Sequence, residues 1–276
     1  MRSQWDCLLQ NLGEWQGSFT VVSPQGELLQ DTPTVVSLEG LNNNQTIRQI
    51  IRKFQSGDVD EKVLEYSSLG RGVLFFENGA FSQGSIQWGP FSEFGAELGL
   101  IDGNRRLRLV QLFNRDSQLD TLTLIREKLA GTDSPERPHL TLEQLLGEWQ
   151  GEAVTMYPDW RSPDTYPTTL KLHCEDGDRL VQQLTFGNGA STRTITSTAR
   201  IDGNLLYFEQ GSQPVQVLLL PNGASATSPL QVKARQPFFL EVGWLIQPDL
   251  RQRMIRSYSD KGEWVSLTLV TERKVA

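Results

Sequence analysis

The sequence predicts an all-β chain built from two tandem antiparallel barrels, each entered through a short helix. Three observations carry that expectation. The string Gly13-Glu14-Trp15-Gln16-Gly17 recurs as Gly147-Glu148-Trp149-Gln150-Gly151. Further matches keep their order along the chain: Asn78-Gly79-Ala80 with Asn222-Gly223-Ala224, Glu97-Leu98-Gly99 with Glu241-Val242-Gly243, Arg106-Leu107-Arg108 with Arg251-Gln252-Arg253, and Leu122-Thr123-Leu124 with Leu267-Thr268-Leu269. A period this long duplicates a whole domain rather than a solenoid unit. Runs of strand length with period-two alternation, divided by turn residues, then fill each copy. The expected units are residues 1–130 and 139–276, each long enough to bury a core.

In the first copy Trp5, Leu8, Leu9 and Leu12 are spaced along one helical face, and Gly13 suits the left-handed cap that ends a helix. From Trp15 the period changes to two, with Trp15, Gly17, Phe19 and Val21 alternating against Gln16, Ser18 and Thr20. Ser23-Pro24-Gln25-Gly26 is a turn. Strands are expected at 34–38, 46–53, 62–66, 72–77, 85–88, 93–101, 107–113 and 119–126. Asn42-Asn43-Asn44, Asn78-Gly79 and Asp102-Gly103-Asn104 supply turns between them. Many short strands after one helix describe a closed or nearly closed barrel. Residues 129–138 are polar, hold two prolines and read as a linker. Thr141 and Gln144 then form a capping box, Trp149 opens the second barrel, and the extra residues of that copy are expected at 157–167.

Composition excludes several functions. Net charge is −7, from 33 acidic and 26 basic residues, and no block of Lys or Arg stands out; nucleic acid and anionic membranes are not expected partners. No apolar run approaches the ~20 residues that span a bilayer, and the start lacks the apolar core of a signal peptide. A cytoplasmic location is the expectation. Cys7 and Cys174 carry no metal-binding spacing and are expected as free thiols. No phosphate loop, nucleophile elbow or metalloprotease pair is present.

A helix followed by Gly-x-Trp at the first strand resembles the opening of lipocalins and their calycin relatives. That resemblance implies that the tryptophan closes the barrel floor and that a late basic residue packs over it, Arg126 for Trp15. The matching place in the second copy is Thr271, with Arg273 nearby. The longer strings Phe76–Gly84, Phe91–Gly99 and Arg235–Trp244 are similar to an uncharacterised cyanobacterial and chloroplast family of tandem lipocalin-like barrels, distantly like the S-type phycobilin lyases. What this implies is a fold, a photosynthetic lineage, a partner in the photosynthetic apparatus, and a tetrapyrrole, carotenoid or lipid as a possible ligand, by analogy alone.

Candidate chemistry is sparse. Glu97 and Glu241 lie in small, apolar strings, and a carboxyl forced inward acts as a proton donor. The alternative, preferred here, pairs them with the repeated arginines Arg106/Arg108 and Arg251/Arg253, where Arg108 and Arg253 serve structure. On the penultimate strand Met254, Arg256 and Tyr258 share one face, and copy one has Gln111 and Phe113 in the last two places. Arg-x-Tyr is similar to the carboxylate-binding pair of intracellular fatty-acid-binding proteins. An inward face makes it an anion site with Glu241 nearby; an outward one leaves a solvated pair. His173 reads as an ordinary strand histidine rather than a haem ligand. Trp88, Phe94, Phe238 and their aromatic neighbours are expected in the core or between barrels. The leading function is a non-enzymatic carrier or chaperone for an apolar, anionic small molecule. A bilin-type lyase or isomerase and a structural factor with filled barrels stay open.

Overall fold

The computed structural model describes residues 2–55, 57–175 and 177–275. The first half comprises α1 (Gln4–Leu8) and strands β1 (Gly13–Val22), β2 (Leu28–Leu41), β3 (Thr46–Gln55), β4 (Asp58–Tyr66), β5 (Val73–Phe75), β6 (Phe81–Gly84), β7 (Phe94–Asp102), β8 (Arg105–Phe113) and β9 (Leu119–Leu129). The second comprises α2 (Leu142–Leu145), β10 (Gly147–Met156), β11 (Asp164–Glu175), β12 (Arg179–Phe186), β13 (Arg193–Asp202), β14 (Leu205–Phe208), β15 (Val215–Leu219), β16 (Ala224–Pro229), β17 (Phe238–Gln247), β18 (Leu250–Tyr258) and β19 (Trp264–Lys274). The fold is all-β apart from short helical turns.

The halves are equivalent in all but one strand. Trp15 pairs with Val36 and Leu129, and Trp149 with Leu170 and Lys274, at matching places on β1 and β10. Each indole donates to the carbonyl four residues earlier, Trp15 to Asn11 at 2.9 Å and Trp149 to Leu145 at 2.8 Å. Those bonds tie each entry helix across one end of its barrel. The capping box at Thr141 forms, with its backbone N–H donating to the Gln144 side chain at 2.9 Å. Glycine follows each tryptophan because the closing strand runs so close: a Cβ on Gly17 or Gly151 would overlap the carbonyl of Arg126 or Thr271.

One strand separates the two halves. The second is a closed barrel of β10 to β19, whereas the first is a nine-stranded sheet whose edges, β4 and β5, do not pair. By register Tyr66 matches Ala199 and Val73 matches Val217. The first chain turns from β4 to β5 over a short connection, while the second inserts β14 there and bridges β13 to β15. The extra residues of the second copy therefore lie around β14 and not at 157–167, where Gly17–Thr34 and Gly151–Thr168 keep one offset. At the open edge the Gln4 side chain stands in for a strand, donating to the Phe75 carbonyl at 2.8 Å and accepting from its N–H at 2.7 Å. The other edge, β4, carries Asp58, Asp60, Glu61, Lys62 and Glu65 and is exposed along its length, a common guard against further pairing.

The largest apolar cluster lies between the halves, where the outer faces of β7–β9 meet those of β16–β19. Phe94, Leu98, Leu109, Phe113 and Leu124 pack there against Leu240, Val242, Trp244, Met254 and Tyr258. Phe238 stacks on Tyr258 at 4.7 Å with Phe94 edge-on. Residues 85–88, expected as a strand, instead run to the other half: Trp88 N–H donates to Gly262 O and Trp264 N–H to Ile86 O, each at 2.8 Å. Smaller clusters fill the inside of each half, around Trp15 and around Trp149.

Candidate functional site

Strand alternation sends the same four charged side chains inward in each half. In the first, Glu127 on β9 receives Arg106 at 2.7 Å and both Nε and Nη2 of Arg108 at 3.0 and 2.8 Å, while Arg108 Nη1 reaches Glu97 at 2.7 Å. Glu97 is also held by Gln83 at 2.7 Å. Burial opposes charge on Glu127, but Arg106 and Arg108 outweigh it and hold the carboxyl at about 2. Burial likewise opposes charge on Arg108, and Glu127 and Glu97 more than compensate, raising its pKa.

The second half repeats the set more loosely. Arg253 reaches Glu272 at 3.0 and 3.3 Å and Glu241 only at 3.5 Å, and Arg251 stands 3.5 Å from Glu272. Burial pushes the Glu241 carboxyl up, a shift Arg253 and Arg251 offset in part. Burial lowers the pKa of Arg251, with Glu272 offsetting it in part. Both repeated glutamates, Glu97 and Glu241, are thus in ion pairs across adjacent strands. Glu127 and Glu272, the centres of the two networks, escaped the sequence reading; their signal is that they match at the same offset as the arginines, one strand later.

What surrounds these networks differs. In the first half Phe75 and Phe81 stack at 5.2 Å over the inner face, and only about 60 Å3 remains beside Glu97, Arg106 and Arg108. By register their counterparts are Leu219 and Ser225, and Gln83 becomes Thr227. A cavity of about 280 Å3 lies inside the second barrel, with Thr227 in its wall. Leu170, Leu180, Leu206 and Val217 wall it, with Glu241, Arg251 and Arg253 on one side. Leu145 stands at one end; at the other Ile195, 52% exposed, stands beside Phe208 and Phe239. A wider cleft of about 830 Å3 between the halves is lined by Arg71, Asp159, Arg161 and Glu263, all exposed, so its charges are already met by water.

The Met254–Arg256–Tyr258 face does not look into the cavity. On β18 the inward face is Arg251 and Arg253, and the opposite face is pressed onto the first half. Arg256, fully buried, donates to Tyr258 at 2.7 Å, Ser82 at 3.1 Å, Ser85 O at 3.2 Å and Gly72 O at 3.3 Å, and lies 3.5 Å over Trp264. Tyr258 donates to Ser85 O at 2.9 Å. Gln111, its counterpart, also reaches across, donating to Glu241 O at 3.2 Å. Arg256 and Tyr258 therefore join the halves: the face they share looks outward from the barrel, so it is not an anion site, and it is buried against the first half rather than solvated.

Arg126 is corrected for the same reason. It points outward, held by Glu136 at 2.6 Å, Ser18 at 2.8 Å and Thr20 at 2.9 Å, while Arg106 lies 4.5 Å over Trp15. Over Trp149 the cation is Lys274, at 5.4 Å; Arg273 pairs at the surface with Asp249. Cys7 is buried and Cys174 exposed, both free. His173 stands 3.5 Å from Glu175 at the surface. Among the described residues no cluster of His, Cys, Asp and Glu has the arrangement of a metal site, and no helix is long and apolar enough to cross a membrane.

Comparisons with known proteins divide at the same place as the fold. Residues 1–132 match the family model described as domain of unknown function (DUF3598), N-terminal, and residues 136–275 that of biogenesis factor required for ATP synthase 1, C-terminal domain. A crystal structure from Nostoc punctiforme, a DUF3598-family protein of unknown function, is 62% identical over 100% of both chains with a TM-score of 0.94. An S-type phycobiliprotein lyase from Guillardia theta aligns at 11% identity over 49% of this chain and 90% of its own, with a TM-score of 0.38, too loosely to carry an inference. No curated protein matches the sequence.

Proposed function

This chain belongs to the DUF3598 family, and from that membership, which supplies a fold but no activity, we propose that its second barrel binds a small, largely apolar molecule while the first half serves as a filled scaffold. The observation that carries this reading is the pair of interiors: about 280 Å3 in the second barrel against about 60 Å3 in the first, at equivalent positions. Ligand pockets commonly run from ~300 to 1,000 Å3, so this cavity suits a small lipid-like or monocyclic molecule better than a tetrapyrrole or a carotenoid. Carriage is favoured over lyase chemistry because no His or Cys lines the space and its acid, Glu241, faces Arg253.

A second reading is favoured by the match of residues 136–275 to a domain named for a biogenesis factor required for ATP synthase. On that reading the chain is an assembly factor and the barrel steadies a surface for a protein subunit. Native mass spectrometry of protein from its own host separates the two. A small adduct present in the wild type and absent from Ser225→Phe supports the carrier. A bare mass overturns it, and a co-purifying subunit with empty barrels supports assembly.

A further inference from the structure

The second barrel keeps an arginine that has lost its hydrogen bonds and retains only a 3.5 Å ion pair, from Nη1 to Glu272, and the first half shows what is missing. There Arg106 donates to Glu127 at 2.7 Å and to the Asn11 side chain at 3.3 Å, and it stacks on Trp15. The position equivalent to Asn11 is Leu145, as the matching tryptophan hydrogen bonds establish. Trp149 is covered by Lys274 rather than by Arg251. Glu272, the remaining acid, gives its closer contacts to Arg253. Arg251 is 6% exposed, lines the cavity, and has a buried Nη1 without a hydrogen-bond partner among the described residues.

A second polar atom is left over beside it. Ser225 is fully buried and its Oγ also has no partner among the described residues. The two groups crowd the space above Gly243, where an added Cβ would lie 2.4 Å from Ser225 Oγ and 3.3 Å from Arg251 Nη2, and of the two Arg251 is the one that lines the cavity. In the first half the equivalent point on Gly99 is taken by the Phe81 ring, 2.6 Å away. Interiors retain an unmatched charged donor at considerable cost, and each such group calls for an acceptor.

We propose that the ligand of the second barrel carries a carboxylate, paired with Arg251 at the cavity wall, with its apolar part among Leu170, Leu180, Leu206 and Val217. This rests on the barrel-binding reading above and names the chemistry of that site. The planar guanidinium presents paired donors that match the two oxygens of a carboxylate. A phosphate would bring further oxygens and charge to face leucine walls. Glu272 gives its closer contacts to Arg253, and Glu241 reaches Arg253 only at 3.5 Å, so among the described residues no carboxylate of the network is hydrogen-bonded to Arg251.

Titration calorimetry with octanoate and 1-octanol on the full chain tests this, using wild type, Arg251→Gln and Ser225→Phe. The wild type is expected to bind the acid about tenfold or more tightly than the alcohol, the factor for one charge-assisted hydrogen bond. Arg251→Gln should lose that preference, and Ser225→Phe should abolish both. Equal binding of the two probes, each lost in Ser225→Phe, overturns the carboxylate and leaves the barrel reading standing. An acid preference that survives in folded Arg251→Gln overturns the role of Arg251. Binding of neither probe, or binding indifferent to Ser225→Phe, overturns both.

Discussion

In the first half the space above the charged network is occupied by Phe75, Phe81 and Gln83; in the second the same positions are the smaller Leu219, Ser225 and Thr227, and a cavity walled in part by Thr227 lies beside the network. The difference follows the wall. The first sheet lacks a counterpart of β14, so its inner face would be open to water along the β4–β5 gap. It is plugged from within by two stacked aromatic rings and sealed at the edge by Gln4. The second half is closed by continuous hydrogen bonding around ten strands, and its wall does not depend on filling. The first copy is filled, and the second encloses the larger space.

The largest expected effect tests whether the two floors are independent. Trp15→Ala and Trp149→Ala should each cost ~3–5 kcal/mol, since both indoles are fully buried. In the double variant the costs should add, because the two rings lie in different clusters. Chemical denaturation measures this, and a large coupling energy would mean that the halves share one floor.

Next come the networks. Glu127→Gln leaves two buried guanidinium groups short of their partner and should cost ~3–5 kcal/mol. Glu272→Gln, with its longer contacts, should cost less. The carboxyl of Glu127 is held below its unfolded value, so its ionised form stabilises the fold at neutral pH. That contribution should disappear as pH falls from ~4.3 through about 2. Denaturation midpoints followed across that window check the sign; a midpoint flat in wild type and sloped in Glu127→Gln would invert the assignment.

Exchanging the filling sharpens the comparison further. Phe81→Ser should cost ~3 kcal/mol or more by opening a cavity in the first half. Ser225→Phe should cost only ~1–3 kcal/mol, as overpacking into a space that already exists. Equal costs would contradict the hollow second barrel. The junction gives an effect of similar size: Arg256→Gln, which copies Gln111, should cost ~1.5–3 kcal/mol in lost charge-assisted hydrogen bonds. It should also separate the unfolding of the two halves in calorimetry.

The duplication, the entry helices, the capping box at Thr141 and the buried tryptophans were legible in the residues because they depend on local spacing and identity. So was the pairing of Glu97 and Glu241 with arginines, since opposite charges repeated together on neighbouring strands have few other ways to be buried. Which face of a strand turns inward was decided by tertiary structure. Strands β7, β8, β17 and β18 are buried on both faces, one around the charged networks and one at the junction. Alternation there separates two sets of residues without saying which set meets the cavity. That is why Arg256 and Tyr258 belong to the junction, Arg251 belongs to the cavity, and Arg106 rather than Arg126 covers Trp15. Closure too was a tertiary matter. Four residues, Leu205-Leu206-Tyr207-Phe208, make a wall only because β13 and β15 are already in place to hydrogen-bond to both of their edges.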